Sequence, residues 1–464
     1  MKNKGIVLAA GDGKRMNSKI PKIMHKISGF TIISHVVRAV LGSGINDIAV
    51  IISDENNNQL INELRNQLPD CNIEFILQHR RLGTGHAVMQ ARRYIENSEN
   101  TLILCGDIPL ISSKTLKDLI DIHEKHQECD STILCAQICD PTGYGRIIFV
   151  PDSQDGYMQK IERIRKIERI IEEKDATPTQ KLINTVNSGI YVFKSEKLLM
   201  ALSNIDNNNA QNEYYLTDTI DKINNVQSVN VENSEEIFGV NDRDQLYKIT
   251  KIMNFQNIDC HMSSGVTFVD INTTYIDCNV EIGIDTIIQP GCHIKTGSKI
   301  GSNCNIGPNT TIENCEIGND CFIEHSVLRS SKIGNKSIIG PFAYLRPACD
   351  IKENVKIGSF VEVKNSNIDN YTKIPHLSYI GDADIGQKVN FGCGSIVVNY
   401  DGSKKYRSRI DDFSFIGSNS NLVSPVHLES NCFVAAGSTI TQDIPKNSLA
   451  IARSRQINKK DWVK

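Results

Sequence analysis

The sequence has little excess charge of either sign: 51 Lys and Arg stand against 54 Asp and Glu, a formal net charge of −3. A general nucleic-acid binder carries a basic excess, so the balance argues against that class, although local cations can still bind small anions. No apolar run approaches the ~20 residues needed to cross a membrane. The opening Met1–Gly11 stretch has a Lys followed by a short apolar run, but Gly-Asp-Gly-Lys-Arg interrupts it at once, so no secretory leader is expected. The 14 Cys include no CxxC pair, and the closest set is Cys129, Cys135 and Cys139. Scattered Cys in a long chain read as reduced thiols in a cytoplasmic protein, not as a zinc site. Trp is nearly absent. The single one, Trp462, falls in the polar tail Gln456–Lys464 and is expected to pack it down.

What is present is a period of six. Ile282, Ile288, Ile294, Ile300, Ile306 and Ile312 keep it without error. It resumes at Ile333, Ile339, Leu345, Ile351, Ile357 and Val363, and again at Ile410, Ile416, Leu422, Leu428, Val434 and Ile440. Neither a helix nor a simple strand repeats this way; a hexapeptide parallel β-helix does, one short strand and one corner per unit. At about 18 residues per three-sided coil, residues 259–455 hold roughly ten coils stacked ~4.8 Å apart. The repeat breaks at Asn399–Arg409, and a loop thrown out of a solenoid usually serves binding or assembly.

With 464 residues, two or more domains are expected. Residues 1–240 alternate strand and helix signals: strands at Gly5–Ala10, Asp47–Ser53 and Thr101–Cys105, helices at Ile32–Leu41 and Asn56–Gln67. That rhythm predicts a mostly parallel sheet covered by helices, with ligands beyond the carboxyl ends of its strands. Residues 241–258 read as a helical linker and 456–464 as a tail. The run Lys160–Ile164 recurs as Lys166–Ile170 and is read as a local surface duplication, with an amphipathic helix or a lengthened hairpin as its possible forms.

Three motifs stand out, and two of them, the Gly11 loop and Asp107, lie where that sheet puts its ligands. Leu8-Ala9-Ala10-Gly11-Asp12-Gly13-Lys14-Arg15 follows a strand, and its glycines let backbone N–H groups approach phosphates. Alone it could be only a turn; it is neither a P-loop nor a GxGxxG. Leu82-Gly83-Thr84-Gly85 opens a helix. Asp107 ends a strand, either as a helix cap or as a Mg²⁺ ligand, since Mg²⁺ takes hard oxygens.

Together with Asn209–Asp218 and Gly239-Val240-Asn241, these motifs resemble the sugar nucleotidyltransferases. The half resembles more narrowly the uridylyltransferase domain of the bifunctional N-acetylglucosamine-1-phosphate uridylyltransferase/glucosamine-1-phosphate acetyltransferase family. The resemblance implies that Leu8, Ala9, Ala10, Gly11, Arg15, Lys22, Gln78, Gly83 and Thr84 bind the uridine nucleotide. It implies that Gly145, Glu172 and Asn187 hold the sugar, and that Asp107 and Asn241 bind Mg²⁺. The implied chemistry brings two anions together; unit charges ~4 Å apart repel by about 4 kcal/mol at an effective dielectric of ~20, which Mg²⁺, Arg15 and Lys22 can offset. Three departures stand out: Cys105 where the family has a larger residue, Arg81 where it has Gln, and the duplicated segment between Gly145 and Glu172.

On the solenoid, Arg346 and Lys364 are 18 apart, one coil, and His376, Tyr379 and Asn390 follow. This set resembles the acetyltransferase half of the same family, so the likeness covers essentially the whole chain. The implied fold is an α/β Rossmann-like nucleotidyltransferase domain followed by an all-β left-handed parallel β-helix. Arg346, Lys364, Tyr379 and Asn390 are implied to bind glucosamine-1-phosphate, and Cys393, Asn399, Tyr400, Ser418, Ala436 and Arg453 to bind acetyl-CoA. Cys393 replaces the usual Ala. A homotrimer sharing its acetyl sites is implied, as is a role in supplying UDP-N-acetylglucosamine for peptidoglycan and lipopolysaccharide. His376 is the expected general base, because an imidazole, ordinarily of pKa near ~6.5, can take the proton of the attacking amine. A lone His would more often only fill a corner.

The same residues argue against three rival readings. A zinc hydratase needs three His brought together across coils, but His293, His325 and His376 are 32 and 51 apart, not multiples of 18. A nucleotidyltransferase with a purely structural solenoid would not need Arg346, Lys364, His376 and Tyr379. A regulator with decayed sites would not keep Gly11, Arg15, Asp107, Asn241 and His376.

Overall fold

A computed structural model describes residues 3–11, 13–53, 57–150 and 164–463. The chain forms two compact units, Met1–Lys251 and Ile252–Lys464. The helix Arg243–Ser263 runs through that boundary, longer than the sequence spacing indicated. No helix among the described residues is long and apolar enough to cross a membrane.

The first unit is built on a nine-stranded sheet. Its first four strands in spatial order, Ile73–Gln78, Ile48–Ser53, Asn3–Leu8 and Asn100–Cys105, are parallel. These strands are apolar on both faces because helices cover both. Val7, Val50 and Leu104 pack with Val36, Val40 and Leu116 on one side. Ile6, Ile51 and Ile103 pack with Val88, Ile95 and Leu198 on the other, the period of two that a strand imposes. The helices Ile32–Gly42 and Ser113–Lys125 start on side-chain caps: Thr31 accepts from the Ser34 N–H, and Ser112 from the Thr115 N–H at 3.1 Å.

The remainder of the sheet corrects the expectation of a mostly parallel one. Thr185–Lys194 runs antiparallel to Asn100–Cys105 and to Ser131–Gln137, and Ile164–Ile171 antiparallel to Val226–Asn230 and Arg146–Phe149. Parallel neighbours need crossover helices. Among the described residues, the stretch from Ser131 to Asn230 holds one α-helix, Ser195–Leu202, so most of its connections cannot cross over. The second copy of the duplicated run, Lys166–Ile170, is part of this sheet, with Ile167 and Ile170 buried. It is therefore not merely a surface repeat; its first copy falls largely outside the described residues, at 160–163.

The second unit is the left-handed parallel β-helix that the six-residue period implies. Three parallel sheets of 11, 10 and 9 short strands each pair a strand with the third one after it. Ile288, Ile306, Ile323, Ile339, Ile357 and Ile374 form one fully buried inward column. The slips in the repeat are shortened coils: Ile300 pairs with Ile317 and Ile312 with Leu328, spacings of 17 and 16. Asn residues at corners, such as Asn303 and Asn354 (both φ 56), take the left-handed conformation that the turn requires. After Ile396–Val398 the chain leaves the coil and re-enters at Ser408–Ile410, which pairs with Ala383–Ile385. Trp462 does not pack the tail down: it is 76% exposed, with the Lys459 ammonium 5.1 Å from its ring centroid.

Candidate functional site

In the first unit, register makes the site. Leu8 and Cys105 are partners at the carboxyl ends of adjacent parallel strands, and the Gly106 N–H donates to the Leu8 carbonyl at 2.8 Å. The loops Ala9–Gly11 and Gly106–Asp107, distant in sequence, therefore meet. They border a cleft of about 330 Å³ whose walls include Leu8, Ala9, Ala10, Gly11, Lys22, Gln78, Gly83, Thr84 and Asp107. A Cβ on Gly11 would meet no atom within 4 Å, so backbone here faces open space where a ligand can approach. Gly13 (φ +59) has the opposite role: its Cβ would lie 2.7 Å from Lys22 Cβ, so only glycine lets the loop lie over Lys22. Arg15 is exposed on the turn Lys14–Met16, which Arg243 Nε pins by donating to the Met16 carbonyl at 3.2 Å.

The Lys22 ammonium donates to Asp107 Oδ2 at 2.5 Å and to Asn241 Oδ1 at 3.1 Å. Two hard oxygens from widely separated segments converge on one cationic point, a donor set that suits Mg²⁺. Asp107 is not the cap of the following helix; Ser112 is. Instead the Asp107 carbonyl accepts from the Val240 N–H at 2.9 Å, which seats Asn241 beside the carboxylate.

Gly83 closes the cleft. At φ +105, its Cβ would lie 2.5 Å from the Tyr214 carbonyl oxygen. The Gly85 N–H donates to that oxygen and the Leu216 N–H to Thr84 Oγ1, so Asn209–Asp218 is the lid-side wall of the Gly83-Thr84 loop. Gln78 Nε2 donates to the Gly83 carbonyl at 3.2 Å.

Gly145, Glu172 and Asn187 come together at the neighbouring end. Strand register pairs Arg146 with Ile171, which sets Glu172 by Gly145, and a Cβ on Gly145 would sit 3.5 Å from Glu172 Oε2 and 3.6 Å from Asn187 Cβ. Burial pushes the Glu172 carboxyl up, partly offset by Thr217 Oγ1, which donates to it at 3.0 Å. Sequence reasoning passed over Arg146, which is 1% exposed and pairs with Glu173 at 2.8 Å, locking this register. Cys105 lies between the two ends, its Sγ 3.4 Å from the Cβ position of Gly189. Burial, then the Asp107 carboxylate, pushes its thiol up to about 12, so it is a neutral wall at physiological pH.

On the solenoid, one corner carries a column. In register, Lys373 pairs with Asn390, Phe391 with Ile416 and Ile416 with Val434. His376, Cys393, Ser418 and Ala436 thus hold equivalent positions on successive coils, and all four are exposed. Arg453 continues the line, with its Cδ 3.8 Å from the Cβ position of Gly437.

A second group lies at the other end of the intervening strand, roughly 10 Å along it. Arg346 and Lys364 are neighbours across coils, as their spacing indicated: the Arg346 N–H donates to the Val363 carbonyl at 2.8 Å. Arg346 Nη1 donates to Glu362 Oε1 at 3.0 Å, and Tyr379 pairs with Glu362 in register. Asn399 and Tyr400 are at the root of the excursion, and Asn399 Nδ2 donates to the buried Asp382 and to the Tyr379 hydroxyl. Asn390 is brought to neither group; it faces outward on another sheet, paired with Lys373 and Phe415. Two residues were missed. Lys405, from the excursion, sits against Lys364, whose ammonium lowers its pKa. Asp382 accepts from Lys364, Asn365 and Asn399; burial raises its carboxyl, but those donors outweigh it and hold it below the ordinary range. The Lys404-Lys405 pair inside the repeat-breaking loop was the available signal for the first. A Gly-Asp corner one coil beyond Lys364 was the signal for the second.

The comparisons divide the chain in the same place. The nucleotidyl transferase family matches residues 4–242. The bacterial transferase hexapeptide family (six repeats) matches 279–314, 297–329 and 330–365, and the hexapeptide repeat of succinyl-transferase matches 409–442. The bifunctional protein GlmU of Clostridioides difficile (strain 630) is 45% identical over 467 residues, covering 100% of this chain and 98% of that protein. That of Thermoanaerobacter pseudethanolicus is 48% identical over 461 residues, 99% and 97% of the two chains. That of Alkaliphilus metalliredigens is 44% identical over 467 residues, 100% and 98%. A solved UDP-glucose pyrophosphorylase complexed with UDP-glucose superposes on 55% of this chain and 100% of its own, at 18% identity and a TM-score of 0.45.

Proposed function

The chain belongs to the family of bifunctional GlmU proteins, and from that membership we infer that it runs two transferase reactions in sequence. The solenoid acetylates glucosamine-1-phosphate with acetyl-CoA. The N-terminal unit then joins N-acetylglucosamine-1-phosphate to UMP from UTP and releases pyrophosphate. The observation that carries this reading is the pair of separate clusters, Lys22–Asp107–Asn241 on one unit and the neighbouring cations Arg346 and Lys364 on the other, with His376 at the far end of the intervening strand.

In uridylyl transfer a phosphate oxygen of the sugar attacks the α-phosphorus of UTP, and the bond to pyrophosphate breaks. Nothing need bond covalently to the protein; positioning and charge suffice. Backbone at Ala9–Gly11 and the Lys22 ammonium receive the phosphates, with Arg15 supplying a further cation at the rim. Glu172, Asn187 and Gly145 hold the sugar. Asp107 and Asn241 would hold Mg²⁺, which when bound offsets the charge of the reacting phosphates. Lys22 must leave their oxygens for that, and the incoming nucleotide phosphates are the anions that draw it away.

In acetyl transfer the sugar amine attacks the thioester carbonyl. His376 takes the proton released from nitrogen, the C–S bond breaks, and coenzyme A leaves as the thiol once protonated. Arg346, Lys364 and Lys405 suit the sugar phosphate. Cys393, Ser418, Ala436 and Arg453 line one corner for the acyl donor, while Asn399, Tyr400 and the phosphate cations cluster at the other end of the strand. That separation, and the isolation of Asn390, favour a site completed by a second copy, as in a homotrimer. A cytoplasmic location follows from the substrates this reading assigns.

The test assays both reactions on one full-length preparation. His376→Ala abolishes coenzyme A release while leaving pyrophosphate release from UTP and N-acetylglucosamine-1-phosphate. Asp107→Ala does the reverse. Loss of both activities in either folded variant overturns the two-site reading. Coenzyme A is best followed by chromatography, because the exposed Cys139, Cys260 and Cys393 would react with a thiol dye.

A further inference from the structure

One buried carboxylate gathers donors from the coil before its own and the coil after it. Asn365 Nδ2 donates to Asp382 Oδ1 at 2.5 Å, while the Lys364 ammonium (3.4 Å) and Asn399 Nδ2 both donate to Oδ2. The Asp382 side chain is 10% exposed and its backbone is left-handed, φ 50. The preceding residue must be glycine: a Cβ on Gly381 would lie 2.5 Å from the Tyr379 hydroxyl oxygen and 2.7 Å from Asn399 Nδ2. A carboxylate this buried is costly unless both oxygens are filled by donors. Both are filled, and two of the donors serve different substrates in the acetyl-transfer reading: Lys364 the sugar phosphate, Asn399 the acetyl-CoA.

We propose that Asp382 is a positioning residue that couples the acceptor and donor subsites, orienting Lys364 and Asn399 through a single carboxylate. The proposal rests on the acetyl-transfer reading above. The Lys364 contact is the long one, so its ammonium can turn toward an arriving phosphate at small cost. Oδ2 then serves Asn399 alone and holds that amide more firmly in one rotamer. Acceptor binding therefore favours donor binding, and linkage makes the effect reciprocal.

The test measures steady-state acetyl transfer by full-length Asp382→Asn and Asp382→Ala, with uridylyl transfer as the internal reference. Asn keeps the shape, and thus the fold, but lacks the charge and the second acceptor oxygen. The expected result is a rise of about fivefold or more in KM for both glucosamine-1-phosphate and acetyl-CoA, the scale of one lost charged hydrogen bond. Turnover falls less, and uridylyl transfer is unchanged. Lys364→Ala leaves Oδ2 to Asn399 alone and should lower the acetyl-CoA KM measured at low acceptor, and that cross-effect should vanish in the Asp382→Asn background. A merely structural role predicts lowered kcat with both KM values standing, and that result, or movement of one KM alone, overturns the proposal. Absence of acetyl transfer in the unaltered protein instead removes the reading on which it rests.

Discussion

At the scale of single residues, this protein places glycine and small polar groups where two segments must touch. Gly83 is the sharpest case, because its backbone is left-handed and the space for a Cβ is taken by the Tyr214 carbonyl oxygen and Glu213. Gly83→Ala must either shift the Asn209–Asp218 segment or open the loop. It should cost about 1 kcal/mol or more, lowering the unfolding midpoint of the first unit by roughly 2–4 °C. Because the displaced atoms wall the cleft, the KM for UTP should rise while acetyl transfer stays as it was; unchanged UTP kinetics would count against the placing of this loop in the nucleotide site. Lys22 makes a related point about charge. Its contacts to Asp107 and Asn241 satisfy all three groups when no nucleotide is present, and nothing in their sequence spacing announces that they meet.

At the scale of elements, the informative feature is the excursion between Val398 and Ser408. It is fastened by one guanidinium. Arg407 Nε and Nη2 reach the two Asp384 oxygens at 2.7 and 2.5 Å, and Nη1 reaches the Asn365 carbonyl at 2.9 Å. Arg407→Ala should loosen the excursion without unwinding the coil, seen as faster amide exchange over residues 400–406 and weaker acetyl transfer, with thermal stability nearly kept. Acid should imitate it. Arg407 holds the Asp384 carboxyl below the ordinary carboxylate range. The anchoring is therefore complete above about pH 4, the unfolded value, and fades as pH falls toward the depressed folded value. Exchange over 400–406 that is flat with falling pH, after correction for intrinsic rates, would contradict this. Both partners are partly exposed, so the effect is local rather than global.

At the scale of the molecule, each unit has its own core: residues from Ile258 to Ile444 form one buried cluster, and residues from Ile6 to Ile237 form the two that sandwich the sheet. Two separate cores predict two calorimetric transitions, each moved by its own ligand. Acetyl-CoA at 100 times its Kd should stabilise the solenoid by about 2.7 kcal/mol, a shift of roughly 5–10 °C in that transition alone. UTP with Mg²⁺ should move only the other. A single transition moved equally by both ligands would mean that the two units unfold as one.

Much of this was legible along the chain because the signals are local. An aliphatic residue every six positions can be satisfied only by burial in a coil of that pitch, so the repeat determined the solenoid before any tertiary contact, while strand pairing identified its slips as shortened coils. Strand-end motifs likewise marked Gly11 and Asp107, since parallel strands expose their carboxyl ends to ligands. The antiparallel half of the first sheet was not legible, because strand direction depends on which strand is adjacent and not on the strand itself. Nor were the roles of Asp382, Lys405 and Arg146. Each acts through partners 17 to 41 residues away in sequence, such as Asn399 with Asp382 or Lys405 with Lys364. In the solenoid the sequence by itself determined which stretches are strand, corner and loop, and in the first unit only three of the sheet's nine strands; only the stacking of coils and the register of strands decided which side chains share a site, since hydrogen-bond geometry is a property of neighbours in space.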